Sequence, residues 1–159
     1  MSDPEPRPPL YPATLIRRLN QIAVAQFTAA MGRAGLDLTP VQFCAMDALA
    51  AQPGVDQATL ASLIGYDRAT LGKVVERLEL KEILHREVRA EDRRARSLHL
   101  TQQGLALLAK ARPQVAALQP QILEGLSGTE KDELIRLLTK LTDRVEESDH
   151  EAPPMARFG

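Results

Sequence analysis

Apolar residues recur at helical spacing through the first third of the chain. Leu15, Leu19, Ile22, Val24, Phe27 and Met31 predict one helix over about Ala13 to Ala34. A second begins after Thr39, which serves as N-cap, with Pro40 in the first turn and Gln42 placed to complete a capping box. Asp56 caps a short helix carrying Leu60, Leu63 and Ile64, and Gly65-Tyr66 breaks it. Asp67 then caps another, Arg68 to about Lys81, whose buried stripe is Leu71, Val74, Val75 and Leu78. Here the period changes. Ile83 to Val88 and Ser97 to Leu100 read as two strands of a hairpin. Thr101 caps a long helix with Leu105, Leu107, Leu108, Val115, Leu118, Ile122 and Leu123, in which Pro113 and Pro120 predict a bend. Ser127 and Glu130 form a capping box for a last helix, striped by Leu134, Leu137, Leu138, Leu141 and Val145. The fold class is therefore mainly α with a small β-hairpin wing.

Two short helices joined by a tight glycine-containing turn make a helix-turn-helix, and the hairpin directly after them makes it winged. On the second helix Arg68, Thr70, Lys73 and Arg77 fall away from the apolar stripe and present donors to solvent. The hairpin turn adds Arg93, Arg94 and Arg96. Guanidinium groups crowded at a projecting tip repel one another, and a narrow DNA minor groove has the negative potential that attracts them. The competing reading, a solvated charged turn, loses weight because the helix pair precedes it. Asp92 is better suited to orienting these arginines than to meeting phosphate. Gln57 and Thr59, at the start of the preceding helix, suit phosphate contacts as well as ordinary solvation, and Arg77 suits bracing as well as base contact.

The segments L-T-P-V-Q-F (Leu38 to Phe43), D-Q-A-T-L-A-S-L-I-G-Y-D-R-A-T-L-G-K-V-V-E-R-L-E (Asp56 to Glu79) and D-R-R-A-R-S-L-H-L-T-Q-Q-G (Asp92 to Gly104) resemble the multiple antibiotic resistance regulator (MarR) family of winged-helix transcription factors. The resemblance extends from about Leu15 to Val145. One departure is Glu82, where the family usually has glycine after its recognition helix. That turn often requires a positive φ, which predicts a tilted exit for a glutamate.

Composition narrows the function. Aromatics are 3% of the 159 residues with no Trp, too few for a base-stacking platform, so duplex DNA is favoured over single strands. The net charge of −1 hides a division: basic residues concentrate between Arg68 and Arg96, and acidic ones between Glu130 and Glu151. One cysteine excludes an internal disulfide, and with no leader-like or long apolar run the expected location is cytoplasmic. No nucleophile elbow, phosphate loop or paired carboxylates suggest an enzyme, and His85, His99 and His150 lack metal-ligand company. No cofactor is expected.

The first and last helices carry more apolar surface than a small lobe can cover, which predicts a second copy of the chain. The resemblance implies an interleaved homodimer on a pseudo-palindromic operator, its recognition helices about 34 Å apart. This gives a disordered arm over 1–12, one domain over 13–147 (dimerisation helices 13–34 and 101–147, DNA lobe 36–100) and a flexible tail over 148–159. The family also commonly binds small aromatic or phenolic anions, which here implies a repressor released by such a molecule or its thioester. Arg17 or Arg18 would hold a carboxylate, Asn20 a phenol oxygen, with Gln42 and Phe43 beside them. Two alternatives are a cysteine-based redox regulator and an interaction module without DNA binding. Phe43, Ala45, Met46 and Leu49 around Cys44 predict a buried, inert thiol.

Overall fold

The computed structural model describes residues 11–88 and 96–151, with side chains up to residue 143. The elements are α1 (Pro12–Arg33), α2 (Pro40–Ala51), α3 (Gln57–Leu63), α4 (Arg68–Leu80), β1 (Leu84–Val88), β2 (Arg96–Leu100), α5 (Gln102–Ile122) and α6 (Gly128–Glu151). The chain divides after Ile122 into a larger unit, containing everything from α1 to α5, and a C-terminal unit containing α6.

The helix starts are built as the sequence predicts. Thr39 accepts from the Gln42 amide while the Gln42 side chain accepts from the Thr39 amide, a reciprocal capping box. Asp56 and Asp67 accept from the Thr59 and Thr70 amides at 2.7 and 2.8 Å. Ser127 and Glu130 close the box that opens α6. Each cap satisfies a backbone donor that would otherwise lack an intrahelical partner.

Three helix ends share one geometry. After α1, Gly35 takes φ 66° and the Leu36 amide reaches back to the Met31 carbonyl. After α3, Gly65 takes φ 66° and the Tyr66 amide reaches the Ala61 carbonyl, forming the turn of the helix-turn-helix. After α4 the same pair of bonds forms, Ile83 to Leu78 and Glu82 to Glu79, with Glu82 at φ 58°. The tilted exit expected of a glutamate here does not occur. Burial of Leu78 and Ile83 on either side of the turn holds the residue in the left-handed region despite its Cβ.

The core of the larger unit gathers Met31, Met46, Leu49, Leu60, Leu71, Val75, Leu78, Leu84, Leu98 and Leu108, all essentially sealed from solvent. In the antiparallel hairpin Leu84 faces Leu100, Arg86 faces Leu98 and Val88 faces Arg96. A feature invisible in the periodicity adds to it. The Leu98 amide donates to the Val55 carbonyl at 2.9 Å and the Gly54 amide to the Leu98 carbonyl at 3.0 Å, so the α2–α3 junction pairs with β2.

α5 is helical through both Pro113 and Pro120. α6 reaches Glu151, four residues into the stretch assigned from sequence to a flexible tail. The first stop signal is Pro153, which disfavours helix at the residue before it and so permits helix up to Glu151. No helix among the described residues is long and apolar enough to cross a membrane.

Candidate nucleic-acid interface

α4 owes its orientation to its buried stripe: Leu71, Val74, Val75 and Leu78 seat it on the core, leaving the opposite side to solvent. Arg68, Thr70, Lys73 and Arg77 are all exposed. Lys73 and Arg77 share one face a turn apart, and Arg68 stands at the helix start. The ion pairs of the surrounding lobe use Lys81, Arg86 and Arg112, so Arg68, Lys73 and Arg77 have no carboxylate partner among the described residues. The Thr70 hydroxyl is engaged locally, donating to Asp67. That bond and the Thr70 amide hold the Asp67 carboxyl below the usual aspartate range.

Thr59 is exposed at the start of α3. Gln57 is half-buried, and its side-chain oxygen accepts from Arg86 at 3.3 Å. Of the wing residues singled out from sequence, Arg96 is exposed at the start of β2. Asp92, Arg93 and Arg94 lie outside the described residues.

The Leu-Thr-x-x-Gly segment after the wing has a structural explanation. Thr101 accepts from the Gly104 amide at 3.0 Å, opening α5, and donates its hydroxyl to the Glu82 carbonyl at 2.6 Å. Its own amide bonds the Ile83 carbonyl. One residue thus joins the end of the wing to the exit of α4. Behind it, the Ile83 carbonyl packs where a Gly104 side chain would begin.

Several contacts escape sequence reading. His85 and His99, opposite each other in the hairpin, stack with ring centroids 5.5 Å apart. Glu87 accepts from His85 at 2.8 Å, and this bond, with His99 close by, holds its carboxyl below the usual range. Asp47 of α2 pairs with Arg112 of α5 at 2.8 Å, and Asp37 pairs with Lys81 beyond α4. Arg86 alone left a signal. Strand parity puts it on the same face as buried Leu84, which is a place for an arginine only if something pairs with it.

A second site lies between α1, α2 and α5. There Asn20, Val24, Phe27, Phe43, Leu118 and Gln119 help enclose a cavity of about 360 Å³. Phe27 and Phe43 meet at 6.0 Å with their rings tilted. Of the residues expected at an effector, Asn20 and Phe43 line this space. Gln42 does not: it is buried in its capping box. Arg17 and Arg18 are exposed outside the lining, with Arg17 donating to the Gln21 side chain at 3.1 Å. Arg17 lies one turn before Asn20 on the same stripe of α1, whereas Arg18 points to another side.

Cys44 also lines the cavity and is exposed, contrary to the buried thiol expected from its neighbours. α2 is apolar on most sides, so only part of it faces the core. Ala45, Met46 and Leu49 take that face, and Cys44 is left at the opening. Partial burial, with the Asp47 charge, keeps its thiol above the usual cysteine range.

Residues 36–95, which include the helix-turn-helix and β1, match the MarR family model. The chain is 33% identical over 105 residues to the transcriptional regulator HosA of Escherichia coli O157:H7, a match spanning 66% of this chain and 78% of that protein. The chain belongs to the MarR family. Similarity extends to solved family structures. BpsR of Bordetella bronchiseptica, whose DNA binding is regulated by 6-hydroxynicotinic acid, superposes with TM-score 0.78 at 28% identity, covering 86% of this chain and 99% of that one. The transcriptional repressor CouR bound to a 23-mer DNA duplex gives TM-score 0.73 at 28% identity, covering 83% and 92%. The chain is accordingly a MarR-type transcriptional regulator with a winged-helix fold, not an enzyme.

Proposed function

We propose that this MarR-family regulator is a homodimeric repressor that grips a pseudo-palindromic duplex with α4 in the major groove and the wing in the adjacent minor groove. The observation that carries the reading is the exposed row on α4, in which Arg68, Lys73 and Arg77 have no carboxylate partner among the described residues. Thr70 is added at the helix start, Thr59 and Gln57 near phosphate, Arg93, Arg94 and Arg96 in the minor groove, and Asp92 as the residue orienting them. The decisive experiment is operator selection from random duplexes followed by titration of Arg94→Ala. Weakening by about 1 to 3 kcal/mol with dimerisation intact supports the assignment, and unchanged affinity refutes it.

The dimer reading rests on apolar surface. Leu15, Ile16 and Ile22 on α1 are about half exposed, as are Ile135 and Leu141 on α6. Residues 13–34 and 101–147 are proposed as the dimer-forming region, around a DNA lobe over 36–100, with 1–12 as an arm and 148–159 beyond the domain.

Control by a small aromatic or phenolic anion, or its thioester, is proposed at the cavity bounded by Asn20, Phe27 and Phe43. The ring would lie on the two phenyl groups, the phenol oxygen on Asn20, and the carboxylate outside on Arg17, whose only described side-chain hydrogen bond is to a neutral amide. BpsR supplies a relative in which an aromatic acid regulates DNA binding. An effector acts only through different affinity for DNA-competent and incompetent forms, and this cavity touches α1, α2 and α5 together. The redox alternative has an exposed Cys44 in its favour and a raised thiol pKa against it, since the thiolate is the reactive form.

A further inference from the structure

We propose that Arg86 is the positioning residue that fixes the strands of the wing, β1 and β2, against the recognition helix, so that wing and α4 meet the operator at one set separation. Arg86 lies in the middle of β1 with its side chain only 26% exposed. Its Nη1 is 3.4 Å from a carboxylate oxygen of Glu79 in the last turn of α4. Its Nη2 donates to the side-chain oxygen of Gln57, the first residue of α3, at 3.3 Å. One planar group therefore ties the wing to both helices of the helix-turn-helix. Lysine, with a single point of charge, cannot span two such directions from one rigid fork.

The Gln57 amide is confined on its other side too. Its nitrogen would be 3.2 Å from a Cβ at Gly72, so the absence of a side chain there lets the amide lie against α4. Gln57 thus belongs to a brace that runs from β1 over α3 to the middle of α4. Arg86 also neutralises Glu79, a carboxylate on the DNA-reading helix that would otherwise repel phosphate. Elsewhere the hairpin is held by the buried Leu84 and Leu98 and by backbone bonds to Val55 and Gly54, contacts that set its depth in the core. The Arg86 tie is the polar link between the wing and α4 among the described ion pairs.

The inference rests on the reading in which the wing enters the minor groove. The test uses the full-length protein on its selected operator and compares Arg86→Ala and Arg86→Lys with the parent by two footprints. Hydroxyl radicals report the minor groove, and dimethyl sulfate reports guanine N7 in the major groove. Arg86→Ala is expected to weaken binding about tenfold, removing minor-groove protection beside each half-site while N7 protection under α4 persists. Arg86→Lys, which keeps a charge for Glu79, should recover part of it. Arg94→Ala should cost about tenfold in the parent but less than about twofold in the Arg86→Ala background, because an unpositioned wing has little left to lose. Retained minor-groove protection in Arg86→Ala, or losses that simply multiply, would overturn the proposal. A parent protein without minor-groove protection would instead refute the wing-contact reading and remove the basis of the proposal with it. If Arg86→Ala does not fold, Glu79→Gln and Gln57→Leu each release one arm of the tie and carry the same comparison.

Discussion

A Cβ added to Gly104 would stand 2.1 Å from the carbonyl oxygen of Ile83, closer than any real side chain approaches a backbone oxygen. The same carbonyl accepts from the Thr101 amide, so it cannot retreat without breaking the joint between wing and α5. Gly104→Ala is expected to destabilise the chain by about 3 kcal/mol, read as a lower urea midpoint at unchanged slope. A midpoint equal to the parent's would mean that the joint yields.

Glu82 offers the opposite opportunity. It occupies the left-handed position that Gly35 and Gly65 fill at the ends of α1 and α3. Relief of the Cβ penalty should make Glu82→Gly more stable by about 1 kcal/mol, less the extra backbone entropy of glycine in the unfolded chain. Thermal denaturation measures the gain, and operator affinity should stay unchanged because the α4 exit is already glycine-like.

The cap of α4 predicts an acid dependence. Asp67 is held below its ordinary value of 3.8, first by the Thr70 hydroxyl and then by the Thr70 amide. A depressed folded pKa stabilises above the unfolded value and loses that contribution as pH falls through the folded one. In Asp67→Asn this dependence disappears. The difference between parent and variant melting temperatures should therefore be constant from pH 5 to 7 and shrink below about pH 4. A constant difference down to pH 3 would show that the carboxylate's charge contributes nothing to the cap.

Lys73 is expected to meet phosphate, since it is exposed beside Arg77 and unpaired among the described residues. Lys73→Ala should then reduce the salt slope of operator binding by about one. An unchanged slope moves Lys73 to base recognition or to no contact.

For the effector, the expected result is that an aromatic carboxylate releases the parent protein from its operator, whereas Arg17→Ala stays bound at the same ligand concentration. Arg18→Ala should respond like the parent, because only Arg17 shares the stripe of α1 that reaches Asn20. Equal release of both variants by the ligand would exclude either arginine as anchor.

The legible and illegible parts of the molecule differ in range. Caps at Thr39, Asp56, Asp67 and Ser127 bind groups three residues away, so their partners stand in the same stretch of sequence. The stripes of α1, α3 and α4 are likewise local periodicities. Arg112 meeting Asp47 and Ile83 pressing on Gly104 depend on how elements pack, and no spacing announces them; strand parity marks Arg86 as needing a partner but does not say that the partner is Gln57. Cys44 shows the limit of composition. Apolar neighbours establish that α2 is mostly buried, but which residue is left at the mouth of the cavity depends on α1 and α5.

The backbone bonds joining Gly54 and Val55 to Leu98 have a consequence for how the lobe assembles. A two-stranded hairpin in water is marginal by itself, and here its second strand gains a second partner, with Val55 lying 43 residues before Leu98 in the chain. That pairing cannot form until α3 and α4, which lie between, have been brought together. The middle of β2 should therefore not fray independently of the helices packed around it. In native-state hydrogen exchange the Leu98 amide should open only with the whole lobe, at the free energy of global unfolding.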